Sequence, residues 1–179
     1  MLPIIKKTLT NFLLFFLSSF IFSESKDISI VIHGGAGWFS SMTEEEISGI
    51  ESALNKAADL GYKVMLEGGT SLDAVEQAII ILENNPLFNA GKGSVYTSEL
   101  KQEMDASIMD GSNLDAGAVA SVTSVKNPIT LARHVMENTE HVMFSSTGAE
   151  KVAKEAGLEI VSPSYFLSLI HISEPTRPR

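Results

Sequence analysis

Asn85-Pro86-Leu87-Phe88-Asn89-Ala90-Gly91-Lys92-Gly93-Ser94 is the stretch on which the fold turns. Pro86 has no amide hydrogen and disfavours helical geometry in the residue before it, so a helix arriving at Asn84-Asn85 has to stop there. Asn89 and the two glycines then make a loop, and Ser94 to Thr97 reads as a short strand. Working back from the loop, Thr70 and Asp73 open a helix with Leu72, Val75, Ile79 and Leu82 facing inward. Gly68-Gly69 separates it from an earlier helix. Thr43 and Glu46 there fit a capping box, and Ile47, Ile50, Leu54, Ala57, Gly61, Val64 and Met65 form one apolar stripe. Ahead of it, Asp27 to His33 is β-branched and apolar, the pattern of a strand buried on both faces, and it runs into Gly34-Gly35-Ala36-Gly37.

Working forward, Met104 to Met109 and Ala116 to Thr123 read as an antiparallel pair joined through Asp110-Gly111. Asn127 and Pro128 are a cap and a first-turn proline, opening a helix with Leu131, Val135 and Met136 inward. His141 to Ser145 is a further strand, and Thr147 and Glu150 cap a last helix that ends at Gly157. A strand, two helices, several strands, then helix and strand mixed suit an α+β layered fold better than a regular βαβ alternation. The 179 residues suffice for one ordinary domain.

The front of the chain differs from its middle. Five of the nine phenylalanines (Phe12, Phe15, Phe16, Phe20, Phe22) fall in the first 22 residues. Lys6 and Lys7 make a basic start, Leu9 to Phe22 an apolar stretch, and Ser23 and Ser25 a small-residue cleavage signature. Residues 1–25 are therefore expected to be an export signal. The apolar run is shorter than the ~20 residues a membrane anchor requires. The chain has no cysteine, so neither a disulfide nor a thiol nucleophile is available. Absence of disulfides suits a periplasm at least as well as a secretory route. Removing residues 1–25 takes away two lysines and one glutamate and moves the net charge from −9 to −10. An acidic chain argues against nucleic acid or an anionic membrane as partner.

Familiar catalytic arrangements are mostly missing. There is no HExxH, the four histidines (His33, His134, His141, His171) are scattered, and no GxSxG elbow occurs. Gly35-Ala36-Gly37 after a strand faintly resembles a dinucleotide loop. That reading needs a helix opening directly on the glycines, whereas Trp38, Phe39 and several polar residues intervene before Thr43.

The combination of motifs is far more specific than any one. His33-Gly34-Gly35-Ala36-Gly37, Leu66-Glu67-Gly68-Gly69-Thr70, Asn85 to Ser94, Met104-Asp105-Ala106-Ser107-Ile108-Met109-Asp110-Gly111, Ala116-Gly117-Ala118-Val119-Ala120 and Lys126-Asn127-Pro128-Ile129 occur in this order. This closely resembles the plant-type asparaginase and isoaspartyl peptidase family of threonine-dependent N-terminal-nucleophile hydrolases, over about Ile28 to Phe166. The resemblance implies a four-layer αββα sandwich, of which 26–166 would be the first half, the α-subunit portion. It implies a precursor that cuts itself before a threonine, whose freed amine activates its own hydroxyl. The substrate would be asparagine or a β-aspartyl (isoaspartyl) dipeptide, and the partners the chain's own β-subunit half and a second copy in a homodimer of processed halves.

The resemblance also distributes roles. Asn89, in the Phe88 to Gly91 segment that comes close to the nucleophile, would support the developing oxyanion or the threonine amine; alternatively it only holds a tight turn. Gly34 and Gly35 would lie where backbone moves or passes closely during self-cleavage, the alternative being an ordinary turn after a strand. Main-chain carbonyls of Leu82, Glu83, Asn85, Phe88, Ala90 and Lys92 would hold a structural sodium ion, with no other cofactor. The nucleophile has no counterpart here, because the only Gly-Thr pair, Gly69-Thr70, sits between two helices. The chain on its own is thus expected to be inactive, with no substrate-gripping residues of its own. Leu167 to Arg179 (LSLIHISEPTRPR) does not continue the pattern. From Ser168 it resembles translated sequencing adapter, the alternative being a divergent tail. A non-catalytic chain that binds a partner through the same half-fold is the competing functional class.

Overall fold

The computed structural model describes residues 27–35 and 42–167. The expected export signal, Ala36 to Ser41 and the tail from Ser168 lie outside the described residues.

Both capping boxes form. Thr43 Oγ1 accepts from the Glu46 amide at 3.2 Å while Glu46 Oε2 accepts from the Thr43 amide at 2.7 Å, opening α1 (Glu44–Leu66). Thr70 Oγ1 accepts from the Asp73 amide at 3.1 Å, and Asp73 Oδ2 accepts from the Thr70 amide at 2.8 Å. That pair opens α2 (Ser71–Glu83). Each box satisfies two amides that a bare helix end would leave unpaired. The helices pack through small residues, Ala53 and Ala57 of α1 against Ala78 and Leu82 of α2, with Phe88 closing the cluster.

β1 (Met104–Met109) and β2 (Ala116–Val122) pair antiparallel, and β3 (Met143–Ser145) adds to β2 in parallel. The sheet order is β1-β2-β3. α3 (Pro128–Asn138) lies across one face of the β1–β2 pair, and α4 (Ser146–Glu155) follows β3. Period-two alternation sends Met104 and Ile108 inward and leaves Asp105, Ser107 and Met109 exposed. Ile108, Val119, Val122, Val125, Ile129, Leu131 and Val135 make the second and larger core, each worth ~1.5–3 kcal/mol on burial. Gly117 lets α3 come close: a Cβ there would stand 2.2 Å from the Ala132 carbonyl oxygen and 2.6 Å from the Met136 amide. Among the described residues, no helix is long and apolar enough to cross a membrane.

Several expectations are corrected. Asp27 to His33 joins no ladder among the described residues. Only one of its faces packs: Ile30 and Ile32 lie on the α1–α2 cluster, whereas Val31 is 95% exposed. Period-two geometry gives such a segment one covered face unless a second layer is present. Ser94 to Thr97 reduces to a single bridge, Tyr96 to Gln102, and Val75 is exposed, inward space on α2 being taken by Ala74 and Ala78. Asn127 and Thr147 do not cap by their own side chains. The side chain of Glu150 reaches instead across to the Thr123 and Ser124 amides, at 2.6 and 2.9 Å.

Candidate functional site

α2 ends at Glu83, and the backbone folds back on itself in a run of short hydrogen bonds. Asn85 Oδ1 accepts from the Leu87 amide at 2.9 Å, an Asx turn that Asn forms readily. Along the loop, the Asn85 carbonyl accepts from Phe88 N (3.3 Å), Phe88 from Ala90 N (2.8 Å) and Ala90 from Gly93 N (3.1 Å). The chain then closes in a 3-10 turn, Gly91–Gly93. Phe88 is buried and anchors the loop on the first core, so Asn89 next to it is held at the surface.

Asn89 Oδ1 accepts from the Val95 amide at 3.0 Å. The carboxamide oxygen is thereby committed to the loop, and Nδ2 must face the other way. Among the described residues Nδ2 meets no acceptor. Asn89 therefore holds the turn through its side-chain oxygen.

The structure brings Gly34 to the same place from 54 residues upstream. A Cβ on Gly34 would lie 3.2 Å from both the Phe88 ring and the Leu54 side chain. Gly35 has φ +94°, a conformation glycine tolerates best, and its amide donates to His33 Nδ1 at 3.0 Å. His33 is thus a turn residue that accepts through Nδ1.

The expected ion loop offers main-chain carbonyl oxygens around its glycines. Carbonyl oxygens of Glu83, Pro86 and Phe88 converge on the two glycines: a Cβ on Gly91 would lie 2.3 Å from Glu83 O. One on Gly93 would lie 2.0 Å from Phe88 O and 2.5 Å from Pro86 O. The carbonyls of Leu82, Asn85, Phe88 and Ala90 each accept one amide, which leaves each a second lone pair. Oxygen-only donors are the kind that suits a hard cation, and of the expected set the carbonyls of Glu83 and Phe88 are the ones that crowd the glycines. The Lys92 side chain is directed elsewhere, with Nζ 5.5 Å from the centre of the Tyr165 ring. Among the described residues no three His, Asp or Glu side chains cluster as a metal site.

One residue of this region escaped sequence reasoning as a side chain. The Glu83 carboxyl is 3% exposed. Its Oε1 accepts from the Ile129 amide at 2.9 Å and its Oε2 from Asn127 Nδ2 at 3.0 Å. It caps α3, which Asn127 does not cap itself. Burial pushes the carboxyl up to about 7, against the hydrogen bonds from Asn127 and Ile129. The available signal was an acid at the end of an apolar helix, where the dipole disfavours it.

The sequence matches the family model described as Asparaginase over residues 26–176. It is 48% identical over 148 residues to the putative isoaspartyl peptidase/L-asparaginase of Dictyostelium discoideum, covering 80% of this chain and 42% of that protein. A plant-type L-asparaginase of Pyrococcus horikoshii is 48% identical over 136 residues, 76% of this chain and 44% of its own length. The isoaspartyl peptidase/L-asparaginase of Mus musculus is 46% identical over 136 residues, 75% of this chain and 41% of its own. The chain spans less than half the length of these curated relatives. With a family match across most of its residues, the chain belongs to the asparaginase family.

Proposed function

We propose that this chain is the α-subunit portion of a precursor amidohydrolase that acts on L-asparagine, β-aspartyl peptides or both. The observation that carries the reading is the Asn85–Ser94 loop, in which the Val95 amide holds Asn89 Oδ1 and the neighbouring Phe88 ring lies against Gly34, in a chain 46–48% identical to enzymes named for those substrates. The complete protein would be a four-layer αββα sandwich. A second sheet would cover the exposed face that carries Ser107, Met109 and Met143. The nucleophile would be a threonine following a glycine in the β-subunit half, freed by self-cleavage.

On this reading the chain's own groups have limited tasks. The Asn89 amide donates to an oxygen that gains negative charge as the substrate carbonyl is attacked, or to the nucleophile's amine. Gly34 and Gly35 permit backbone passage at the cleavage site. Carbonyls of Leu82, Glu83, Asn85, Phe88, Ala90 and Lys92 hold a sodium ion that stiffens the loop. Export through residues 1–25 and assembly as a homodimer of processed halves complete the proposal.

The test is ammonia release from L-asparagine and aspartate release from a β-aspartyl dipeptide. The 179-residue chain alone is expected to give neither. Co-expressed with a β-subunit half beginning in a threonine, it is expected to give at least one, and Asn89→Ala should then lower kcat about 10²-fold or more. Turnover by the pure 179-residue chain would overturn the assignment.

A further inference from the structure

The Gln102 side chain is buried in the stretch between the Asn89 loop and β1. Its Nε2 donates to two carbonyls at once, Ser94 O at 2.7 Å and Phe166 O at 2.9 Å. Ser94 is the residue before Val95, whose amide binds Asn89 Oδ1. Phe166 is fully buried at the end of the 3-10 turn Pro163–Phe166. A continuous path therefore runs from the Asn89 carboxamide through the Ser94–Val95 peptide and Gln102 to Phe166. The Ser94 hydroxyl is also buried and meets no partner among the described residues; Ser94 is held through its backbone, its amide donating to Gly91 O at 3.1 Å and its carbonyl accepting from Gln102. Lys92 over the Tyr165 ring, 5.5 Å from its centre, makes a second contact between the same two segments.

We propose that Gln102 is a positioning residue for Asn89: it locks the Asn89 loop to the turn at Phe166, so the two segments are ordered together. An amide nitrogen has two hydrogens, and here each carbonyl takes one. The significance for catalysis rests on the role of Asn89 proposed above; the coupling itself does not.

Hydrogen exchange on the full 179-residue chain tests it. In Gln102→Met, which keeps length but has no donor, the Val95 amide is expected to exchange roughly tenfold faster, the order of one lost hydrogen bond. Leu167, whose amide donates to Ser164 O, should loosen in parallel. Val119 in β2 reports global stability and should change much less. Equal acceleration at Val95 and Val119, or none at Val95, would overturn the proposal. Gln102→Glu supplies a second arm: protonated, it can still donate to one carbonyl, and ionised it repels both. Val95 protection should therefore fall as pH rises through the carboxyl range. If both variants unfold, Gln102 is a core support and the proposal fails. A result in which Val95 responds but Asn89→Ala leaves turnover of the processed enzyme unchanged would sink the catalytic role of Asn89 and leave the coupling intact.

Discussion

Replacing Glu83 by glutamine should remove a pH dependence that the buried carboxyl imposes on folding. The group is 3% exposed and titrates near 7 when folded, against an ordinary value of 4.5. Below pH ~4.5 both the folded and unfolded chains are protonated and the group adds nothing. Between ~4.5 and ~7 the unfolded chain gives up its proton while the folded chain retains it. Stability then falls as pH rises, by ~1.4 kcal/mol per pH unit. Above ~7 both states are ionised and the slope vanishes. The interval spans roughly 2.5 pH units, so the loss is on the order of 3 kcal/mol. The substituted carboxamide keeps an oxygen for the Ile129 amide and carries no charge at any pH. Urea unfolding followed by circular dichroism, from pH 4.5 to 8, should show wild type weakening across that window and Glu83→Gln nearly flat. At pH 8 the variant should be the more stable by ~1–3 kcal/mol, the lower figure allowing for its weaker hydrogen bonds. Parallel profiles for the two proteins would refute the burial reading. Asp73 does not confuse the window. Hydrogen bonds from Thr70 hold it near 2, so its contribution is present above 3.8 and is lost only as pH falls toward 2.

Two further variants probe the packing of α3. Gly117→Val should cost more than the ~1–3 kcal/mol of ordinary overpacking, because the new side chain meets backbone atoms of Ala132 and Met136 that cannot rotate away; a thermal midpoint within a degree of wild type would contradict the close contact. Arg133 binds Asp73, Glu76 and Glu137 at 2.7–2.8 Å with only 19% of its side chain exposed. Arg133→Met, which keeps the apolar stem, should lose ~1–3 kcal/mol at low salt and less of the difference at high salt. An unchanged urea midpoint at low salt would show that the network contributes nothing.

Legibility followed the range of the interaction. Thr43 with Glu46 and Thr70 with Asp73 are three residues apart, and both boxes could be predicted because every atom involved is local. The β1–β2 pair was equally open to reading, since alternation and a turn-forming connection that starts at Asp110-Gly111 specify it without help from elsewhere, although that connection runs on to Asp115. Asp27 to His33 misled for the opposite reason. Its composition suits a strand covered on both sides, but composition does not say whether a second layer is there to cover Val31. Asn127 and Glu150 looked like caps for the helices nearest in sequence, and the structure gives both of them partners further away.

What the sequence determined by itself was the order of the four helices and of β1, β2 and β3, the loop at Asn85–Ser94, and the family, through motifs whose spacing survives without coordinates. Tertiary structure alone decided which side chains those motifs bring together. Gly34 lies against Phe88, Glu83 caps a helix that begins 45 residues later, and Gln102 joins Ser94 to Phe166. Each of these contacts depends on where two separate elements dock. Docking is set by burial summed over whole faces, and no single residue or its neighbours in sequence carries that sum.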